Sequence, residues 1–181
     1  MKLIGRITDE DLGVKKTEMK EPIIRYASRG IIVNDLGEIA IIHKKNKKEY
    51  KLPGGGIELQ ENKIEAFKRE ILEETGCLVK EIQEIGYTEE LKSLENFKQI
   101  SYVFVAKVDK NTGELNLTDM EKEEGAEVLW MDIISAEKYI EDCYNNLVES
   151  KYDSIYRTKF VILRDLAIIK EYKKNGTNKK E

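Results

Sequence analysis

Three carboxylates stand close together in one short stretch of this chain: Glu70, Glu73 and Glu74, at i, i+3 and i+4. On an α-helix that spacing gathers them on one face. Like charges so placed destabilise a bare helix, so the arrangement asks for a counter-charge. A divalent cation supplies one, because hard ions such as Mg²⁺ are held by carboxylate oxygens together with waters and substrate phosphates. A bound divalent cation is therefore what this acidic face leads one to expect.

A helix is needed to position these groups, and the sequence signals one. Asn62 is the N-cap, with Glu65 three residues on as its capping-box partner. Ile64, Phe67 and Ile71 make the buried stripe, Ala66 permits close packing beside the acidic face, and Gly76 ends the helix in a left-handed position. Leu52-Pro53-Gly54-Gly55-Gly56 comes before it. Three consecutive glycines are unfit for a strand or helix interior, so this stretch is read as a loop that brings bare backbone close to a ligand.

Gly55, Glu61, Arg69-Glu70-Ile71, Glu73-Glu74 and Gly76 together resemble the Nudix box, G-x5-E-x7-R-E-U-x-E-E-x-G-U, where U is a bulky aliphatic residue. The one departure is Cys77 at the final U, where a small buried hydrophobe is a mild change. Since 36% of this chain is Asp, Glu, Lys or Arg, an acidic run alone would be a solvated face. The glycine, Glu61, Arg69 and Gly76 at fixed offsets set this run apart.

The resemblance implies a Nudix fold, an α/β/α sandwich around a mixed β-sheet. It implies a Mg²⁺-dependent hydrolase, with Mn²⁺ able to substitute. The bond cleaved is the diphosphate of a nucleoside diphosphate derivative: an NTP or dNTP, oxidised or not, or a nucleotide sugar. Glu70, Glu73 and Glu74 are the implied metal ligands, with the backbone carbonyl of Gly54 beside them. Arg69 is the implied clamp on the box carboxylates, and Glu61 joins the same charge network. Two residues are candidates for the proton acceptor, Glu70 and Glu124. Glu124 lies in Glu121-Lys122-Glu123-Glu124-Gly125, where members often place a further acidic residue; a solvated acidic loop is the plain alternative. Arg25 and Arg29 alternate along a strand with Tyr26 and Ser28 and are candidate contacts for substrate phosphate, with a surface ion pair as the alternative.

Subfamily marks do not select a substrate. Pro22 and Pro53 are the only prolines, so the downstream proline of ADP-ribose members is missing. Leu94 stands where dinucleoside polyphosphate members carry tyrosine, and the NADH-type SQPWPFPxS string is absent. A non-catalytic nucleotide sensor on the same fold is the competing function. Retention of all three carboxylates favours the enzyme.

The rest of the chain suits a small enzyme. Its 181 residues are one domain's worth, and a net charge of −4 argues against a nucleic-acid binder. Cys77 and Cys143 have no metal-site spacing and point to a reducing, cytoplasmic setting. The N-terminus has no signal-peptide pattern, and no stretch has the apolar length to cross a membrane. Strands are expected at 2–8, 23–33, 39–43, 50–52, 78–88, 99–108 and 128–131, and helices at 134–146 and 152–172. The division is an N-terminal strand and polar segment (1–22), a single domain with an additional C-terminal helix (23–172), and a disordered tail (173–181). His43 is read as a surface or edge residue, the neighbouring Lys44, Lys45, Lys47 and Lys48 as a solvated hairpin tip with phosphate contact as the alternative, and Trp130 as core with a base-stacking wall as the alternative. Phe160, Leu163, Ala167 and Ile168 form an apolar stripe that leaves a homodimer open beside packing on the domain itself.

Overall fold

The computed structural model describes residues 1–177. Eight strands make one mixed sheet: β1 (Leu3–Thr8), β2 (Ile23–Val33), β3 (Ile39–Lys44), β4 (Glu49–Lys51), β5 (Gly54–Gly56), β6 (Cys77–Lys92), β7 (Phe97–Asn111) and β8 (Ala126–Met131). Four α-helices accompany them among the described residues: α1 (Lys63–Thr75), α2 (Asp119–Glu123), α3 (Ile133–Asn145) and α4 (Ile155–Thr177). The sheet runs β1-β6-β7-β2-β3-β4, with β8 paired to β3 and β5 to β2. β2 lies parallel to β7 along its whole length but meets β3 only at Val33↔Ile39. The two strands then diverge, and β5 takes the free edge of β2, with Ala27↔Gly56 and Arg29↔Gly54 in register.

Alternation along the strands sorts the core into two layers. Ile31, Ile41 and Val103 face α3 and α4, packing with Ala136, Ile140, Ile162 and Ile169. Their neighbours Ile32, Ala40 and Phe104 face the opposite way, against Phe67 and Ile71 of α1. The result is the expected α/β/α sandwich around a mixed sheet with an added C-terminal helix. The helix α1 carries its expected caps. Asn62 Oδ1 accepts from the N–H groups of Ile64 and Glu65, Glu65 accepts from the Asn62 N–H, and Gly76 has φ 69°. Trp130 is half-buried against the α1-side layer.

Three expectations need correction. The glycine stretch is a strand: Gly54–Gly56 pairs antiparallel with β2, because bare backbone fits where a side chain would strike Arg29 or Arg25. The C-terminal helix does not stop at 172 but continues through Thr177, where Lys173 Nζ donates to Glu137 Oε2 of α3 at 2.6 Å. The remainder of the expected tail, 178–181, lies outside the described residues. The lysine hairpin is not a solvated tip throughout, since Lys47 pairs with Glu49 at 2.6 Å with both side chains almost fully covered. His43 is likewise half-buried, stacked on Tyr50 at 4.2 Å.

The apolar stripe of α4 meets the chain's own residues. Phe160 packs with Ile7 and Leu12, and Ile168 joins the main core; both are fully buried. Among the described residues, no helix is long and apolar enough to cross a membrane.

Candidate active site

Where β2 and β3 part, a cavity of about 820 Å³ opens. The acidic face of α1, the strand β4 and the α2 segment wall one side. The start of β7, the outer half of β2 and α4 wall the other. Between them runs β5, a strand without side chains. A Cβ on Gly55 would fall 2.4 Å from the Glu70 carboxylate, and one on Gly56 would meet the Arg25 guanidinium at 2.7 Å. Gly54 has φ 134°, and a Cβ there would lie 2.4 Å from Arg29 Cβ. The glycines are thus required on steric grounds by groups on both sides.

On the acidic side, a single guanidinium organises the carboxylates. Arg69 Nε and Nη2 donate to the two oxygens of Glu61 at 2.8 and 2.9 Å. Its Nη1 donates to Glu70 at 2.8 Å and Glu73 at 3.0 Å, and Nη2 also reaches the Gly56 carbonyl at 2.9 Å. Arg69 holds the Glu61 carboxyl below the usual carboxylate range. Burial pushes the Glu70 carboxyl up, opposed by Arg69 and reinforced by Glu74. Glu74 is buried and tied at both oxygens, accepting from Lys51 Nζ at 2.7 Å and from the Gly54 N–H at 2.6 Å.

These residues fit a hard divalent cation by their donor chemistry. Glu70, Glu73 and Glu74 offer carboxylate oxygens on one helix face, and Glu70 Oε2 and Glu73 Oε1 accept no hydrogen bond among the described residues. Among those residues no three acidic, His or Cys groups stand ready-assembled around an ion position. Arg69 and Lys51 provide the counter-charge instead.

Glu124 is not part of a solvated loop. It is 2% exposed and lies 2.5 Å from Lys44 Nζ, facing the same cavity as the box carboxylates. The cause is the α2 segment, which folds over the β3–β4 hairpin through the Asn46 N–H to Glu124 carbonyl bond at 2.9 Å. Arg29 is not a surface ion pair either. It is 4% exposed, and its Nε has no acceptor. Burial and the neighbouring Arg164 push its guanidinium down to about 10. Arg25 lines the cavity from an exposed position on the same strand face.

Several cavity residues escaped sequence reasoning. Lys51, the partner of Glu74, carried only a weak signal, a charged residue directly before the glycine stretch. Arg164 and Arg157 come from α4, and Arg164 is a fully buried arginine. Its signal was an Arg164-Asp165 pair inside an otherwise apolar helical repeat.

A mixed sheet split around a glycine strand, with a carboxylate-bearing helix at the split, places an acidic wall and a basic wall on one cavity. The family model of the NUDIX domain matches residues 24–149, and the chain belongs to that family. It is a Nudix pyrophosphohydrolase, in a family that hydrolyses nucleoside diphosphate derivatives and uses divalent metal ions. A solved NUDIX hydrolase from Nitrosomonas europaea is similar in fold, with a TM-score of 0.59 at 16% identity over 83% of this chain and 89% of that one. Comparison with curated proteins finds no match.

Proposed function

We propose that this chain is a cytoplasmic, Mg²⁺-dependent pyrophosphohydrolase that cleaves the diphosphate bond of an NTP, a dNTP or a nucleotide sugar. One observation carries this reading. Across a strand with no side chains, the acidic face of α1 opposes Arg25 and Arg29, two cavity cations that no carboxylate holds among the described residues. Negative oxygens on one wall suit a cation, and free guanidinium groups on the other suit phosphate.

Glu70, Glu73, Glu74 and the Gly54 carbonyl would hold Mg²⁺, with Mn²⁺ able to replace it. When bound, the ion supplies charge neutralisation to the anhydride oxygens. Arg69 fixes the spacing of Glu61, Glu70 and Glu73 through its five donors. Arg29 and Arg25 bind and orient the phosphate groups, so that the anhydride lies along the glycine strand. Glu70 takes the proton of the attacking water, and Glu124, held by Lys44 on the α2 wall, is the alternative acceptor. The net change consumes one water, breaks one P–O bond of the P–O–P bridge, and leaves two phosphate-ended products.

The test is a panel of nucleotides with Mg²⁺, scored for which products form. Turnover of at least one nucleoside diphosphate derivative, abolished in Glu73→Gln, is expected. Nucleotide binding without turnover anywhere in the panel would favour the sensor instead. Glu70→Gln and Glu124→Gln, compared for kcat, assign the proton acceptor.

A further inference from the structure

Among the described residues Arg29 is a buried cation in ion-pair contact with no carboxylate, although Asp165 and Glu90 are near enough to act on it electrostatically. Both of these carboxylates are fully buried. Both are held by Arg164 of α4. Its Nε donates to Asp165 Oδ1 at 2.8 Å and its Nη1 to Glu90 Oε2 at 3.2 Å. Of the remaining two oxygens, one is hydrogen-bonded and the other is in ion-pair contact only. Asp165 Oδ2 accepts from the Leu52 N–H at 2.8 Å, and Glu90 Oε1 lies 3.2 Å from Lys92 Nζ. Gln99 Nε2 adds a bond to Glu90 Oε2 at 2.9 Å. Apart from Arg25 and Arg29, every lysine and arginine lining the cavity is in ion-pair contact with a carboxylate.

Burying a charge without a partner is costly, and a shared carboxylate would relieve it. This chain does the opposite: a second arginine takes both candidates and leaves Arg29 facing the cavity. The arrangement makes physical sense when the missing partner is an anion that arrives from outside. Phosphate oxygens match the fork of a guanidinium.

We infer that Arg164 is a positioning residue which, by holding Glu90 and Asp165, reserves Arg29 for a phosphate group of the substrate. The inference rests on the proposed function in one respect, that Arg29 faces the phosphates. It also goes beyond the family match, because α4 lies outside residues 24–149. The same helix reaches the glycine strand, since Asp165 holds the Leu52 N–H two residues before Gly54. The alternative is that Arg164 only ties α4 to the sheet.

Binding of inorganic pyrophosphate to the full chain, measured by calorimetry in chelator, separates the two without any turnover. Arg29→Met and Arg164→Met are each expected to weaken binding by about tenfold or more. In Arg164→Met the freed carboxylates turn to Arg29. In the triple variant Arg164→Met/Glu90→Gln/Asp165→Asn both freed carboxylates are gone while Glu74 stays committed to Lys51 and the Gly54 N–H, and affinity returns to within about threefold of the parent. Wild-type affinity in Arg164→Met overturns the inference. So does a folded triple variant that fails to recover, and so does a parent chain that binds no pyrophosphate. Should Arg164→Met not fold, Arg164→Lys keeps the charge but cannot grip both carboxylates; weakened binding supports the inference and unchanged binding overturns it. A nucleotide panel without turnover would sink the proposed activity and leave this result standing.

Discussion

Arg69 grips Glu61 through both carboxylate oxygens, at 2.8 and 2.9 Å, while its third terminus spans Glu70 and Glu73. One planar group therefore sets the separation of three acidic side chains. A lysine carries the same charge but is a point donor on a flexible stem. Arg69→Lys is expected to lower kcat/KM by about 10- to 100-fold while the fold persists. Steady-state kinetics and circular dichroism check this. Unchanged kcat/KM would mean that the spacing of the carboxylates does not limit the reaction.

Glu73 and Glu74 are adjacent in sequence yet should fail differently when neutralised. Glu73 is partly exposed and, among the described residues, its side chain bonds only to Arg69, so Glu73→Gln should cut the rate by about 100-fold or more with little change in Tm. Glu74 is buried and holds Lys51, itself almost covered. Removing one member of a buried ion pair costs about 3–5 kcal/mol, because the other charge is left without a partner. Glu74→Gln should therefore lose both activity and several degrees of Tm. Equal melting temperatures for the two variants would contradict this difference.

The box and its helix were legible because residue type and spacing both mattered there: Asn62, Glu65 and Gly76 are local cap signals, and the carboxylates share one face of a single helix. The long strands were legible from alternation. The strand β5 was not, because a run of glycines has no side-chain period, and its pairing depends on β2 parting from β3 on the N-terminal side of Val33. The burial of Lys44 and Glu124 depends on α2, whose five residues are too short for a periodic signal. The role of Arg164 was hidden by distance along the chain. Its partner Glu90 is 74 positions away, and Asp165 meets Leu52 across 113.

The glycine strand offers a graded test. Gly54→Ala places a methyl group 2.4 Å from Arg29 Cβ and from the Ser28 carbonyl oxygen, at a φ of 134°. Backbone cannot yield as a side chain can, and an unfavourable φ alone costs about 1–3 kcal/mol. For Gly55→Ala the nearest atoms are those of the Glu70 carboxylate, which can rotate away. Gly54→Ala should thus lower Tm markedly. Gly55→Ala should keep Tm within a few degrees yet lose most activity, because Glu70 is displaced. Thermal melts beside activity assays decide it, and a fully active Gly55→Ala would remove Glu70 from the site.

Divalent cation should stabilise the folded chain, and the effect should depend on pH. Burial raises the Glu70 carboxyl above its ordinary value of 4.5. Below that value the group is protonated in both folded and unfolded chains, and it contributes no penalty. As pH rises past 4.5 the unfolded chain ionises first, so stability falls until the folded carboxyl has ionised as well. A bound cation opposes that loss by favouring the ionised form. It adds about 2.7 kcal/mol when present at about 100 times its dissociation constant. In chelator-stripped protein, millimolar Mg²⁺ or Mn²⁺ should raise Tm by several degrees at neutral pH and by much less near pH 4.5. Glu73→Gln should show a reduced shift at neutral pH, since it removes one ligand charge and leaves the buried Glu74–Lys51 pair intact. No shift with either ion at neutral pH would rule out the acidic face of α1 as the cation site.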